Sequence, residues 1–116
     1  MKVLVIDDEV EFTEALKRIL ERKGVEVDSA EKANEGVGKF LTMRPDVTIL
    51  DFNLEDEKNG LDVLKEIRET SKDSKVILLT GSDDKTVKAE AEKLGISMFM
   101  SKPFDFVVFK ERFMNE

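Results

Sequence analysis

The chain has 116 residues, the usual length of one domain, and its 41% of apolar residues is enough to form a core. This apolar content argues against a wholly disordered chain. We also do not expect a membrane protein, because no apolar run reaches the roughly 18–20 residues of a membrane-spanning helix. The absence of cysteine and histidine excludes disulfides, zinc sites built on those residues, thiol nucleophiles and imidazole bases.

Charge and cysteine content also bear on partners and location. The chain has 19 Lys and Arg residues against 26 Asp and Glu residues, and its net charge of -7 argues against direct binding to nucleic acid. The N-terminus has no signal-peptide pattern, and a chain without cysteine fits a reducing cytoplasm. We therefore expect a cytoplasmic protein that binds neither nucleic acid nor a membrane on its own.

Short apolar runs alternate with segments of helical periodicity along the chain. Strands are predicted at 2–7, 25–28, 47–51, 75–80 and 96–101. Helices are predicted at 9–23, from 33 to before Pro45, around 61–67, at 87–94 and at 105–114. Their core-facing residues are Phe12, Leu16, Ile19 and Leu20; Ala33, Val37, Phe40 and Leu41; Leu61, Leu64 and Ile67; Val87, Ala91 and Leu94; and Phe106, Phe109 and Phe113. Gly36 and Gly38 weaken the second helix, since each costs about 1 kcal/mol relative to alanine. The alternation predicts an α/β fold with helices on both faces of a parallel five-stranded sheet.

Polar residues follow the ends of four predicted strands. Asp7 and Asp8 end the first strand, Asp51 the third and Thr80 the fourth, and Lys102 follows the fifth. A lone Asp at such a place is commonly the N-cap of the next helix, which is the alternative reading for each Asp. The carboxyl ends of parallel strands, however, meet at one edge of the sheet, where such folds bind ligands. We therefore expect these side chains to form one site.

Three carboxylates at one site would repel one another unless a cation is bound. Oxygen ligands without histidine or cysteine favour Mg²⁺, with Mn²⁺ as a substitute, over zinc. Magnesium usually keeps part of its coordination for water and phosphate oxygens, so the site is predicted to bind a phosphate group. Lys102 would supply a positive charge, and Thr80 a hydroxyl donor for a phosphoryl oxygen.

The same residues lie in four segments: VLVIDDE at 3–9, PDVTILD at 45–51, VILLTG at 76–81 and KPF at 102–104. In order and spacing, these segments resemble the receiver domain of two-component response regulators, and the resemblance covers essentially the whole chain. It implies a flavodoxin-like, doubly wound sheet with strand order 2-1-3-4-5 and five helices on both faces.

The resemblance implies a role for each acidic residue. Asp51 would accept a phosphoryl group, and it would share Mg²⁺ with Asp8, a direct ligand. Asp7 would act on the metal mainly through water. The main-chain carbonyl of Asn53 would complete the ligands that the protein supplies.

The resemblance also implies a switch. Thr80 and Lys102 would bind the phosphoryl oxygens, and the peptide bond before Pro103 would be cis. Phe99 falls where the family has its switching aromatic, although an ordinary core or edge aromatic is the alternative. Movement of Thr80 toward the phosphoryl group would let Phe99 turn inward. That movement would repack the face formed by the fourth helix, the fifth strand and the fifth helix.

The loop after the third strand departs from the family pattern. Position 55 is Glu where the family usually has Pro, and the stretch 52–60 is one residue longer than usual. Its shape therefore does not follow from the resemblance. Asn53 and Ser82 hold positions that tune the lifetime of the phosphoryl group in the family.

The implied function is signal transduction within a two-component system or a phosphorelay. A histidine kinase or phosphotransfer protein would donate the phosphoryl group, and a downstream protein would bind the switched face. The chain would catalyse only its own phosphorylation and dephosphorylation, so we do not expect an enzyme. We expect residues 1–116 to form a single receiver domain without an output domain, either stand-alone or cut from a larger regulator.

Two other classes of protein share features with this pattern. A haloacid-dehalogenase-like phosphatase also uses an Asp nucleophile with Mg²⁺, but it needs a second Asp at the position of Asn53. A flavodoxin-like electron carrier shares the strand order, but it needs a hydroxyl- or glycine-rich phosphate loop where this chain has Asp8 and Glu9. Multiple turnover of a phosphate ester or a flavin chromophore would identify them.

Overall fold

The computed structural model describes residues 1–81 and 84–114. Its sheet has five parallel strands in the order β2-β1-β3-β4-β5. The strands are β1 (Lys2–Ile6), β2 (Glu26–Ala30), β3 (Val47–Asp51), β4 (Lys75–Thr80) and β5 (Met98–Ser101). The predicted fold class and strand order are confirmed.

Five helices connect and follow these strands. They are α1 (Val10–Arg22), α2 (Ala33–Met43), α3 (Gly60–Thr70), α4 (Lys85–Lys93) and α5 (Phe106–Phe109), and α5 continues as a π-helical segment, Lys110–Met114. Among the described residues, no helix combines the length and the apolar character needed to cross a membrane.

Each face of the sheet has its own hydrophobic core. On one face, strand residues such as Leu4, Leu50 and Leu78 pack against α2, α3 and α4. On the other face, residues such as Val5 and Ile49 pack against α1 and α5. Buried side chains thus alternate along each strand, and the apolar runs of the sequence reflect a sheet that is covered on both sides.

Some predicted details are wrong. Helical spacing predicts core-facing positions for Ile19 and Leu41, but they are 41% and 49% exposed. Each lies next to a residue, Leu20 or Phe40, that takes the buried place instead. β2 runs on to Ala30, and β5 begins only at Met98. Ile96 precedes this strand, and its N–H donates at 3.3 Å to the carbonyl of Ala91 in α4, which ends at Lys93.

Gly36, one of the two glycines that weaken the prediction of α2, is explained by packing. A Cβ atom on Gly36 would lie 2.7 Å from the side chain of Ile6 in β1. Gly36 therefore lets α2 approach the sheet closely, and this contact offsets the low helix propensity of glycine.

Candidate functional site: an acidic cluster at the carboxyl edge of the sheet

The sheet register brings the polar residues predicted from the sequence to one edge. Asp51 pairs with Leu79 in β4, and Thr80, the next residue, pairs with Ser101 in β5. Asp7 directly follows β1, the neighbour of β3. Lys102 directly follows β5, and its N–H donates to the Thr80 carbonyl at 2.8 Å. All of these residues therefore lie at the carboxyl ends of adjacent strands.

Three carboxylates converge at this edge. Asp7, Asp8 and Asp51 each offer an oxygen atom, and these atoms all lie within 4.8 Å of one another. The residues Asp7 and Asp51 are only 1% and 3% exposed, whereas Asp8 is partly exposed. The group is therefore open to solvent mainly on the side of Asp8.

Backbone N–H groups orient all three carboxylates. Glu9 N donates to Asp7 Oδ1 at 2.8 Å, and Asn53 N donates to Asp51 Oδ1 at 3.3 Å. Across the site, Glu55 N donates to Asp8 Oδ2 at 2.9 Å. Because these donors belong to the loops that follow β1 and β3, the loop backbones set the geometry of the cluster.

Lys102 places its ammonium group among the carboxylates. Its Nζ atom lies 2.6 Å from Glu9 Oε1, 3.2 Å from Asp7 Oδ2 and 3.6 Å from Asp51 Oδ2. The peptide bond between Lys102 and Pro103 is cis, the geometry that the resemblance implies. The side chain of Lys102 is 20% exposed, so the ammonium group is largely shielded from water.

The charges at this edge perturb one another and are partly desolvated. Burial raises the pKa of Asp7 to about 6, and the charge of Asp51 adds to this effect, while the Glu9 N–H and Lys102 oppose it. Burial likewise raises the pKa of Asp51, against the influence of Lys102. Burial alone would lower the pKa of Lys102, but Glu9, Asp7 and Asp51 together raise it. The cluster therefore favours binding of further positive charge.

The residues present fit a hard divalent cation. Within the part of the chain that the structure describes, the buried Asp7 Oδ2 accepts no hydrogen bond, although Lys102 Nζ lies 3.2 Å away as an ion-pair partner. One ammonium group also leaves part of the charge of three carboxylates uncompensated. Oxygen donors alone are the ligand set of Mg²⁺ or Mn²⁺.

The remaining predicted residues lie around this cluster. Thr80 is buried at the end of β4, and Asn53 is exposed in the loop after Asp51. Phe99 is half-buried in β5, and its ring centroid lies 6.0 Å from Lys88 Nζ on α4. The structure thus brings Thr80 beside the acidic cluster. The side chain of Phe99 extends from β5 toward α4. The predicted lifetime residue Ser82 lies outside the described residues.

The start of α3 abuts the acceptor strand. Asn59 and Asp62 form a reciprocal capping box, with both bonds at 3.0 Å. A Cβ atom on Gly60 would lie 2.7 Å from the carbonyl oxygen of Asp51. Glycine at this position therefore lets α3 begin directly against the end of β3.

Sequence reasoning missed two partners of Lys102 on the first turn of α1. The Glu9 carboxylate is closer to Lys102 Nζ than the carboxylates of Asp7 and Asp51 are. The Phe12 ring centroid lies 5.1 Å from the same atom. The position of Glu9 directly after the Asp pair is a sequence signal for its presence at the site. The helical spacing predicts Phe12 only as a core residue of α1.

Comparison with known proteins agrees with this geometry. Residues 3–113 match the family of the response regulator receiver domain, so the chain belongs to that family. The acid tolerance regulatory protein ActR of Rhizobium meliloti is 36% identical over 103 residues, which cover 89% of this chain and 53% of ActR. The chain thus spans about half the length of this curated relative.

Solved structures show the same fold. A response regulator receiver domain from Clostridium thermocellum superposes with a TM-score of 0.90 at 33% identity, covering 98% of this chain and 91% of that one. A chain of the CheX–CheY–BeF3–Mg²⁺ complex from Borrelia burgdorferi superposes with a TM-score of 0.88 at 25% identity, covering 99% and 87%. The chain is therefore a receiver domain of the kind used in two-component signalling.

Proposed function

We propose that this receiver domain accepts a phosphoryl group on Asp51 from a phosphohistidine of a histidine kinase or phosphotransfer protein. The observation that carries the proposal is the position of Asp51 at the end of β3, inside a group of three carboxylates and 3.6 Å from Lys102. Membership of the receiver family supports the same role.

In the transfer, an oxygen of the Asp51 carboxylate attacks the phosphorus atom of the donor. The O–P bond forms as the donor's P–N bond breaks, and the electron pair of that bond stays on the imidazole nitrogen. A carboxylate is already a nucleophile when ionised, so the absence of histidine from this chain removes nothing that the step needs. Lys102 and the hydroxyl of Thr80 bind phosphoryl oxygens, and they stabilise the charge that these oxygens carry during transfer.

Asp8, Asp51 and the carbonyl of Asn53 are our proposed direct ligands for Mg²⁺, and Asp7 would act mainly through water. Mn²⁺ would substitute, because it also prefers oxygen ligands. When bound, the cation supplies positive charge to the phosphoryl oxygens. The Borrelia neighbour comes from a complex that contains Mg²⁺ and BeF3, a combination consistent with such a site.

Loss of the phosphoryl group follows from the same site. A water molecule attacks the phosphorus of the acyl phosphate, the O–P bond to Asp51 breaks, and the products are the free carboxylate and inorganic phosphate. The domain therefore acts on its own side chain. We expect no multiple turnover of a diffusible phosphate ester.

The output would be a repacked surface. Phosphorylation adds oxygen atoms and negative charge beside Thr80, whose movement toward them leaves space for the half-buried Phe99. An inward turn of Phe99 would end its contact with Lys88 on α4. We propose that a downstream protein recognises the resulting face of α4, β5 and α5.

Mass spectrometry after incubation with acetyl phosphate and Mg²⁺ tests the proposal. We expect one added phosphoryl group that is labile to base, and none when EDTA is present. Asp51→Ala should abolish the labelling. Asp73→Ala, which removes an exposed carboxylate near β4, is the matched control and should be labelled like wild type. Labelling of Asp51→Ala to the wild-type extent would rule out the assignment.

A further inference from the structure

Glu9 occupies the N-cap position of α1 without acting as a cap. Its side chain makes no capping hydrogen bond, and glutamate is not among the residues that favour this position. The side chain turns instead to Lys102, where the Oε1–Nζ distance of 2.6 Å is the shortest of the three carboxylate contacts of that ammonium group. The Glu9 side chain is 62% exposed, so the contact is not forced by burial.

Phe12 reinforces the same position of Lys102. It lies three residues after Glu9, so both side chains project from the same side of the first turn of α1. The Phe12 ring centroid is 5.1 Å from Lys102 Nζ, within the range of a cation–π contact. The first turn of α1 thus provides a charged and an aromatic contact for one ammonium group.

Lys102 donates a side-chain hydrogen bond to Glu9 in this arrangement. The contact with Glu9 at 2.6 Å is a hydrogen bond, whereas Asp7 at 3.2 Å and Asp51 at 3.6 Å attract the ammonium group as ion-pair partners. A phosphoryl group on Asp51 would extend beyond the carboxylate, and its oxygens would compete with Glu9 for the ammonium group. The contact with Glu9 ties the ammonium group to an exposed carboxylate outside the group of Asp7, Asp8 and Asp51.

We propose that Glu9 and Phe12 hold Lys102 in a resting position, and that this retention lowers the affinity of the domain for the phosphoryl group. Phosphorylation draws Lys102 away from Glu9. Loss of the contact between these two residues makes the phosphorylated state less stable than it would be without Glu9. The inference rests on the proposed function of Asp51. It makes Glu9 a positioning residue that acts through Lys102.

The test uses beryllofluoride as a phosphoryl mimic, titrated at saturating Mg²⁺ and followed by amide NMR signals. Glu9→Gln removes the charge, and Glu9→Asp keeps the charge but shortens the side chain by one methylene. Both variants should bind beryllofluoride about two- to fivefold more tightly than wild type, the factor expected for a partly exposed ion pair. Glu11→Gln, which removes a charge from the exposed first turn of α1, is the matched control and should bind like wild type.

A second measurement concerns Lys102 itself, without metal. The side-chain ammonium signal of Lys102 should shift in Glu9→Gln and in Glu9→Asp, and it should stay in place in Glu11→Gln. Aspartate is a favourable N-cap and glutamine keeps the size of glutamate, so neither change endangers the fold.

The outcomes separate this inference from the proposed function. If wild-type protein does not bind beryllofluoride with Mg²⁺, the proposed function fails. If wild type binds it but Glu9→Gln matches Glu11→Gln, the resting position is wrong and the proposed function stands. Wild-type affinity in Glu9→Asp would also overturn the inference, because it would assign the effect to the charge of Glu9 and not to its contact with Lys102.

Discussion

The carboxylate of Asp56, in the loop between β3 and α3, accepts a hydrogen bond of 2.9 Å from the backbone N–H of Ala33, the first residue of α2. The N-cap residue of α2 is Lys32, whose side chain makes no capping hydrogen bond. Asp56 therefore supplies from a distant loop the cap that α2 lacks locally. One residue earlier in the loop, Glu55 N donates to Asp8. The lengthened loop thus links the acidic cluster to α2.

Asp56→Ala should loosen the first turn of α2. We expect faster hydrogen exchange at the Ala33 amide and a lower melting temperature, because a donor at the helix start loses its acceptor. The Ala33 N–H, followed by the Glu57 N–H, lowers the pKa of Asp56. This contribution to stability is therefore present above the pKa of an ordinary Asp and is lost as the pH falls through the lowered pKa. Glu57→Ala is the control, and equal exchange rates at Ala33 in wild type and Asp56→Ala would contradict the capping role.

Metal-free protein should become less stable as the pH rises from about 4 to about 6. Burial raises the pKa of Asp7 from 3.8 to about 6. The folded protein therefore binds a proton on the Asp7 carboxylate more tightly than the unfolded chain does. The stabilising effect of the proton is complete below pH 3.8 and is lost as the pH rises to about 6, a change of about 3 kcal/mol. Asp7→Asn removes this dependence, so in EDTA it should gain stability relative to wild type over this interval.

Denaturant unfolding of both proteins at a series of pH values measures this difference. Parallel stability curves for wild type and Asp7→Asn would show that Asp7 is not desolvated as the structure indicates.

Mg²⁺ at 100 times its Kd should stabilise wild type by about 2.7 kcal/mol through mass action. The melting temperature of wild type should therefore rise in millimolar Mg²⁺, and an unchanged value would exclude the metal site.

Thr80→Ala should separate phosphoryl transfer from switching. Asp51, Lys102 and the metal ligands remain, so the variant should still bind beryllofluoride with Mg²⁺. It loses the hydroxyl that would move toward the bound phosphoryl mimic. On binding of beryllofluoride, the amide signals of residues 84–114 should therefore shift less than they do in wild type. Thr70→Ala, at the exposed end of α3, is the control and should show the wild-type shifts. Full shifts in Thr80→Ala would show that another residue couples the site to Phe99.

Arg68 should be an anchor for the C-terminal end of α4. Its Nε donates to the Leu94 carbonyl at 2.6 Å, and a terminal nitrogen donates to the Gly95 carbonyl at 2.9 Å. Lysine keeps the charge but lacks the planar fork that reaches both carbonyls. Arg68→Lys should therefore destabilise the protein by about 1–3 kcal/mol in denaturant unfolding. Arg22→Lys, in the exposed last turn of α1, is the control, and an equally small effect of both changes would argue against the anchor.

Much of the fold and the candidate site could be predicted from local sequence patterns. Apolar runs and helical spacing predicted the strands and helices, because burial on a sheet or on one helix face imposes those periods. Asp7, Asp51 and Thr80 could be grouped because parallel strands place their carboxyl ends at one edge. This argument needs only the position of each residue along its own strand.

Other features depend on contacts between residues that are distant in the chain. Glu9 and Lys102 are 93 positions apart, and Ala33 and Asp56 are 23 apart, so local sequence does not determine which donor pairs with which acceptor. The exposure of Ile19 and Leu41 was likewise decided by which side of each helix faces the sheet. Sequence periodicity determined the elements and the edge where the polar residues meet. Only tertiary packing decided the partners of Glu9 and Asp56, because the donor that each carboxylate binds comes from a distant part of the chain.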